Sequence, residues 1–291
     1  MLAVLTWAVW VLTAAFQPLS AIATEQPSNE ASLHIAIELV AESLTPAAGS
    51  RTTLAIAMRP QDGWHGYWQS PGDAGRPLKL AWTLPDGMKV SDPAYPVPTT
   101  LVIDGMMNHV YSKPYALLVA LDAPAGLRSG TKLPIMVKLD YLVCSNTICV
   151  PERRQVSIEL TVGDGEPNAS STASFEIWRK ALPQPLKSRV HFETVGGQFR
   201  LGAPLPKSIA FRYPHLFAVT EGAISHAAPQ SFSYNGDTLV IETEAGPTPP
   251  KTFDGVLSLG DGTGLSFTAT VGAVRTTGLS GRRRRFRPRQ A

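Results

Sequence analysis

The nine residues Ile135-Met-Val-Lys-Leu-Asp-Tyr-Leu-Val143 form the longest run of alternating side chains in this chain. Alternation with a period of two places every second side chain on one face of a β-strand. Shorter runs of the same kind lie on both sides, separated by turn sequences such as Pro60-Gln-Asp-Gly63 and Pro85-Asp-Gly87. Their apolar positions are Leu33, Ile35, Ile37, Leu39, Leu54, Ile56, Met58, Leu78, Leu80, Trp82, Val156, Ile158, Leu160 and Val162. Short strands at this spacing predict an antiparallel sandwich of immunoglobulin-like type.

The composition excludes several classes of protein. The 291 residues are 44% hydrophobic and 17% charged, with 25 prolines and 24 glycines, which disfavours long helices, coiled coils and extended disorder. The formal net charge of +3 depends on six arginines between residues 282 and 289, and the rest of the chain is net negative. We therefore expect no nucleic-acid partner. No apolar run after residue 30 approaches the roughly 20 residues of a membrane span.

The first residues resemble an export signal. Residues 1–16 are almost wholly apolar, and Ala21 and Ala23 give the small-x-small pattern that precedes a cleavage site, so we place the cut before Thr24. No basic residue precedes the apolar run, which leaves a start further upstream or a weak membrane anchor as alternatives. A buried core helix is a third alternative. An exported protein folds where thiols can oxidise.

A polar stretch at residues 163–174 separates two groups of strand patterns. Phe175, Trp178 and Leu182 then have helical spacing, and Pro183 is expected to end a short helix. The alternation resumes after Val190, which predicts a second module. The fold class is thus all-β, with two immunoglobulin-like antiparallel β-sandwich modules joined by a linker with a short helix. The expected divisions are a signal peptide (1–23), a first sandwich (24–165), a linker and helix (166–187), a second sandwich (188–275) and a basic disordered tail (276–291).

The two cysteines form the most reactive pair in the sequence, Cys144-Ser-Asn-Thr-Ile-Cys149. A structural disulfide is the ordinary interpretation for an exported protein, but a loop of about six residues gives only about 2 kcal/mol, against nearly 5 for a 100-residue loop. Strand parity places Cys144 with Asp140 and Leu142, opposite the apolar face, where the disulfide would be accessible for exchange. A metal site completed by His65 or His109 is a further alternative.

The region from His34 to Leu160 resembles the N-terminal periplasmic domain of DsbD-type thiol:disulfide interchange proteins, in the branch that includes suppressor-of-copper-sensitivity protein B. Weaker matches to the family's second module are Phe211-Arg-Tyr-Pro214, Ala227-Ala-Pro-Gln230 and Gly255-Val-Leu257. The principal matching motifs are His34-Ile-Ala-Ile-Glu-Leu-Val-Ala-Glu42, Gly63-Trp-His-Gly-Tyr-Trp68, Pro71-Gly-Asp-Ala-Gly75, Trp82-Thr-Leu-Pro85, Tyr141-Leu-Val-Cys144 and Cys149-Val-Pro-Glu152.

The resemblance implies a protein-disulfide reductase component in the periplasm that takes electrons from a membrane-embedded cysteine pair. It would pass them to thioredoxin-like partners, either disulfide isomerases or the thioredoxins of cytochrome c maturation, without a cofactor or metal. Cys149 would form the mixed disulfide and Cys144 would resolve it. Relatives continue into a membrane domain and a thioredoxin domain, whereas this chain stops at Ala291, so we expect a separate membrane electron donor. The alternative function is a non-catalytic periplasmic binding or assembly module with a structural disulfide.

The family also shields its cysteine pair with a cap segment. The candidates here are Met106, Met107, Asn108, His109 and Tyr111, with ordinary apolar packing as the alternative for the two methionines. Trp64, Tyr67 and Trp68 are expected to be core and turn aromatics. Asp73 and Glu152 are expected to support loops. The arginine-rich tail is expected to be a solvated terminus, with weak contact to an anionic membrane surface as its functional alternative.

Overall fold

The computed structural model describes residues 33–276 and 284–286, and the first ten strands form what we call the N-terminal module. The predicted signal peptide lies outside the described residues. The strands are β1 (Ile35–Ala41), β2 (Arg51–Pro60), β3 (Gly66–Gly72), β4 (Lys79–Thr83), β5 (Lys89–Val90), β6 (Thr99–Ile103), β7 (Met106–Tyr111), β8 (Tyr115–Asp122), β9 (Lys132–Cys144) and β10 (Cys149–Thr161).

Two sheets of the N-terminal module enclose its main core. One sheet has the order β1-β2-β8-β5 and the other the order β10-β9-β4. The alternating face of β9 predicted from the sequence is buried between them, from Leu133 to Val143, and packs with Ile35, Ile56 and Leu117. A third sheet, β3-β7-β6, lies outside this sandwich and bridges to β9 where His65 pairs with Cys144. This third sheet positions the side chains around the cysteine pair.

The predicted short helix is confirmed as α1 (Thr172–Ala181). Phe175 is fully buried, and Trp178 packs edge-on against it with ring centroids 5.1 Å apart. Both contact Ala55, Ala116 and neighbouring side chains of the N-terminal module, on the face of its sheet that points away from the main core. The helix therefore ends the N-terminal module by covering one of its sheets.

The remaining strands form what we call the C-terminal module, which has a core of its own. Its sheet has the order β14-β17-β18-β12-β13-β16-β15-β19, with β11 beside β18. The pairs β11–β18 and β12–β18 are parallel and the other pairs are antiparallel. Phe192, Phe199 and Phe253 lie at the centre of the core. The strands are β11 (Gln184–Pro185), β12 (Val190–Val195), β13 (Gln198–Pro204), β14 (His215–Ala218), β15 (Gln230–Asn235), β16 (Thr238–Glu244), β17 (Thr252–Ser258), β18 (Gly264–Val271) and β19 (Arg284–Phe286).

A smaller apolar cluster joins the two modules. Trp68, Val97 and Tyr111 of the N-terminal module pack with Phe217 and Val256 of the C-terminal module. We call this set the junction cluster. All five side chains are buried, so the two modules share a continuous apolar contact rather than only a linker.

The all-β fold class is confirmed, and the exact domain boundaries stay predictions. Apart from residue 276 and the strand β19, which pairs with β15, the predicted basic tail lies outside the described residues. None of the helices in the described part of the chain is both long enough and apolar enough to span a membrane.

Candidate functional site

The two cysteines form a disulfide at the turn end of the β9–β10 hairpin. Cys144 is the last residue of β9 and Cys149 the first of β10, and they lie directly opposite each other with their Cα atoms 4.0 Å apart. The intervening turn is closed by the Ser145 amide, which donates to the Ile148 carbonyl oxygen at 2.8 Å. The hairpin register therefore brings the two sulfur atoms together without help from the rest of the fold.

The environments of the two cysteines differ strongly. Cys144 is 1% exposed and packs with Tyr67 and Val110, whereas Cys149 is exposed. Ile148, beside Cys149, is 56% exposed. The predicted strand parity is thus correct for Cys144, since its side chain points away from the main core. The expectation that Cys144 would be accessible is wrong, because β3 and β7 cover that face of β9.

The polar contacts of Cys144 come from β3 and the residue that precedes it. The Tyr67 hydroxyl donates a hydrogen bond to Cys144 Sγ at 3.1 Å. His65 exchanges two backbone hydrogen bonds with Cys144, of 2.8 and 3.0 Å. Tyr67, expected to be a core or turn aromatic, is therefore also a direct neighbour of the Cys144 sulfur and directs its hydroxyl at it.

Burial sets the protonation state of both side chains. It lowers the pKa of His65 to about 4 and raises the pKa of Tyr67. His65 is therefore neutral and Tyr67 protonated at neutral pH, and the hydroxyl keeps the proton that it donates to the sulfur. The Nε2 atom of His65 is buried and has no hydrogen-bond partner.

The predicted cap segment coincides with β7, and its residues have different neighbours. The side chain that covers Cys144 is Val110, which the sequence interpretation did not include. Met107, His109 and Tyr111 face the C-terminal module: Met107 lines a cleft of about 470 Å³ with residues of that module, His109 packs on Phe217, and Tyr111 belongs to the junction cluster. Met106 is 43% exposed, and the buried Asn108 amide donates to the carbonyl oxygens of Leu101 and Met106.

Two carboxylates expected to support loops make specific contacts near the site. Asp73 Oδ2 accepts from the Met107 amide at 2.8 Å, and the Asp73 amide donates to the Met107 carbonyl oxygen at 2.7 Å. The buried Glu152 accepts from the Tyr141 hydroxyl at 2.7 Å and lies 2.7 Å from His34 Nδ1. Asp73 thus fastens β7 to the end of β3, and Glu152 ties β10 to the start of β1.

The alternative of a metal site finds no support in the geometry. The cysteine sulfurs are bonded to each other, and among the residues that the structure describes no group of three histidine, cysteine or carboxylate side chains is arranged to hold an ion. His109 lies on the opposite face of β7 from Val110 and packs on Phe217. The chemistry available at this site is that of a disulfide with one exposed and one covered sulfur.

Comparison with known proteins finds a family model that is similar to the segment around this site. Residues 38–161 match the family model for the N-terminal domain of the thiol:disulfide interchange protein DsbD, which confirms the resemblance over a segment that contains both cysteines. This segment is therefore similar to the N-terminal domain of DsbD-type thiol:disulfide interchange proteins. No curated protein matches the chain in sequence.

Among solved structures, the N-terminal periplasmic domain of ScsB from Proteus mirabilis has a TM-score of 0.61 and 19% identity, with 86% of this chain and 96% of that chain covered. This likeness shows that the fold extends over both modules. The major pilin subunit BcpA of Bacillus cereus, as its D312A variant, has a TM-score of 0.28 and 8% identity, with 86% and 66% covered, and supports no inference.

Proposed function

We propose that this protein carries out thiol–disulfide exchange in the periplasm through Cys144 and Cys149. It would pass electrons from a membrane reductase to thioredoxin-like partners, either disulfide isomerases or thioredoxins of cytochrome c maturation. The observation that carries the proposal is the asymmetry of the pair, with Cys149 exposed at a hairpin tip and Cys144 buried beneath Tyr67 and Val110. The family match and the periplasmic domain to which this chain is similar support the compartment and the class of partner.

Reduction of the disulfide would begin at the exposed sulfur. A thiolate of the reductase attacks Cys149 Sγ, the Cys149–Cys144 bond breaks, and its electron pair leaves with Cys144 as a thiolate. The Tyr67 hydroxyl already donates to this sulfur and stabilises the negative charge. The second thiolate of the reductase then attacks the reductase sulfur that is bonded to Cys149. This step forms the reductase disulfide and releases Cys149 as a thiolate. The pair has gained two electrons, and the reductase has formed a disulfide.

Delivery of the electrons reverses these roles. The Cys149 thiolate attacks one sulfur of the partner's disulfide, and the partner's other sulfur leaves as a thiolate. Cys144 then attacks Cys149 Sγ, which re-forms the intramolecular disulfide and releases the first partner sulfur. The exposed side chain of Ile148 beside Cys149 offers an apolar contact for the partner surface around its own disulfide.

The redox equilibrium of the pair tests this function against a purely structural disulfide. The exported protein is equilibrated in glutathione or dithiothreitol buffers of graded potential, and free thiols are counted after acid quenching. We expect full reduction at a potential above about −300 mV, because structural disulfides typically lie below that value. A pair that stays oxidised in more strongly reducing buffers would leave the structural interpretation in place.

A further inference from the structure

The strand β7 covers Cys144 with one face and packs against the C-terminal module with the other face. Adjacent side chains of an extended strand point to opposite faces. On β7, Val110 faces Cys144 and Tyr67, whereas His109 and Tyr111 face the C-terminal module. One strand therefore touches the reactive pair with one face and the second module with the other.

His109 connects β7 to the C-terminal module through contacts between rings. Its ring is fully buried and meets the ring of Phe217 edge-on, with centroids 4.8 Å apart, and the ring of His226 at 5.0 Å. Its Nδ1 atom lies 2.8 Å from the Ser70 carbonyl oxygen, which can only accept, so Nδ1 carries the hydrogen. The ring is thus fixed both to β3 and to β14 of the C-terminal module.

Phe217 extends the same contact to the neighbouring strand. Its ring lies 5.7 Å from that of Trp68 on β3, and both belong to the junction cluster. The two strands that cover Cys144 therefore rest on one aromatic side chain of the second module. If β7 separates from β9, the contact between His109 and Phe217 must break or move with it.

We propose that the C-terminal module controls the exposure of Cys144, with Phe217 and His109 as positioning residues that hold β7 over this cysteine. This inference rests on the proposed exchange function and adds its regulation. The strength of the junction sets the population in which Cys144 is uncovered, since a contact made only in the covered form shifts the equilibrium towards it. A partner or membrane component that loosens the junction would thereby expose Cys144, the resolving thiol of the proposed exchange.

Alkylation of Cys144 measures this population in the full-length exported protein. In a Cys149→Ser background Cys144 is the single thiol, and its rate of reaction with iodoacetamide reports how often it is uncovered. We expect Phe217→Leu to raise this rate roughly threefold to tenfold, the range for the loss of one aromatic contact. The matched control is Phe199→Leu, a buried phenylalanine in the C-terminal core that stacks on Phe192 and lies outside the junction cluster.

The control separates the junction from general destabilisation. We expect Phe199→Leu to change the alkylation rate less than about twofold, because aromatic contacts made within the module do not reach β7. An unchanged rate in Phe217→Leu, or an equal rise in both variants, would overturn the proposal. Because this assay needs no protein partner, it can succeed or fail independently of the exchange function.

A second variant covers the case in which Phe217→Leu does not fold. His226→Ala removes a half-buried ring that contacts His109 and leaves the aromatic junction cluster intact. We expect faster hydrogen exchange of the backbone amides of β7 in this variant, with exchange of β13 unchanged. Equal protection of β7 in the variant and the unsubstituted protein would contradict the proposal.

Discussion

At the scale of single residues, the chemistry of the pair depends on what touches each sulfur. Cys149 has an exposed side chain, whereas Cys144 receives a hydrogen bond from Tyr67 inside an apolar pocket. A donor aimed at a sulfur favours its charged form, most strongly where water is excluded. In the proposed exchange, the electron pair released when the disulfide opens would therefore be stabilised on Cys144, and an incoming thiolate would attack Cys149.

Replacement of Tyr67 tests this stabilisation. Tyr67→Phe keeps the ring that covers Cys144 and removes the hydroxyl. We expect reduction of the disulfide by dithiothreitol to slow by roughly tenfold, because a hydrogen bond to a charged group contributes about 1.5–3 kcal/mol and part of it is present in the transition state. The measurement is the pseudo-first-order rate of thiol release at fixed pH.

Tyr141→Phe is the matched control for this substitution. The Tyr141 hydroxyl is also buried and hydrogen-bonded, but its acceptor is Glu152 rather than a sulfur. We expect a loss of stability with little change in the rate of reduction. Equal slowing in both variants would show that the effect of Tyr67 is structural rather than electrostatic.

The sequence predicted the face of β9 that carries Cys144, but not the side chains that contact this cysteine. The alternation of β9 correctly predicted which face carries Cys144, since parity is a local property of a strand. Tyr67 lies 77 residues away from Cys144 in the chain, and Val110 belongs to another strand, so no local pattern links them. Their contact arises from the position of a third sheet, which depends on tertiary packing.

At the scale of elements, the position of β7 depends on a tight crossing with the end of β3. Gly72 has a φ of 91°, and a side chain there would clash with the carbonyl oxygen of Met107 on β7. Asp73 follows and makes two hydrogen bonds to the backbone of Met107. The glycine thus allows the close approach that the carboxylate then secures.

Gly72→Ala should therefore displace β7, whereas Gly63→Ala should not. Both glycines have positive φ, which costs a non-glycine residue about 1–2 kcal/mol, but a Cβ on Gly63 meets no atom within 4 Å. We expect Gly72→Ala to lower the free energy of unfolding by more than Gly63→Ala and to increase alkylation of Cys144 in a Cys149→Ser background. Equal alkylation rates in the two variants would contradict the role assigned to this crossing.

Other elements differ in how well their sequences predict them. The strands β1 and β9 each have one mostly buried face, and their clean alternation predicted them, as helical spacing predicted α1. The segment β7 shows no such alternation, because five of its six residues are buried, on both faces. Its two-sided contacts could not be inferred without knowing that a second module packs behind it.

At the scale of the whole molecule, three histidines lie close together at the contact between the modules: the fully buried His109 and the partly buried His215 and His226. His109 is fully buried, and desolvation, with a smaller effect from His215 and His226, lowers its pKa to about 3. The pKa values of His215 and His226 are also lowered, chiefly by desolvation, although Asp73 raises that of His226. These rings are neutral in the folded protein at neutral pH, so the junction depends on their staying uncharged.

Stability should accordingly fall in acid before the carboxylates titrate. A histidine in an unfolded chain has a pKa of about 6.5, so the unfolded chain binds protons that the folded protein does not as pH falls below that value. The free energy of unfolding is then highest above pH 6.5 and declines towards pH 4, by about 1.4 kcal/mol per pH unit for each such histidine. Urea unfolding at pH 7.5, 6 and 5 measures this slope.

The control for the pH series is the exposed His191. We expect His191→Gln to leave the slope unchanged, whereas His109→Gln lowers overall stability and reduces the slope. A free energy of unfolding that is the same at pH 5 and pH 7.5 would contradict neutral burial of these rings.

The most direct test of the exchange function is trapping of a mixed disulfide with a thioredoxin-like partner. Reduced Cys144→Ser and Cys149→Ser proteins are each mixed with a periplasmic thioredoxin-like protein that keeps only one cysteine of its pair, activated as its thionitrobenzoate disulfide. Attack by the protein thiolate forms the mixed disulfide and releases thionitrobenzoate. The products are separated without reductant and identified by mass. We expect Cys144→Ser to form a stable adduct through the exposed Cys149, because neither protein then keeps a resolving thiol, and Cys149→Ser to form little, because Cys144 is buried. Absence of an adduct with either variant would contradict thiol–disulfide exchange, and a strong adduct only with Cys149→Ser would contradict the roles assigned to the two cysteines.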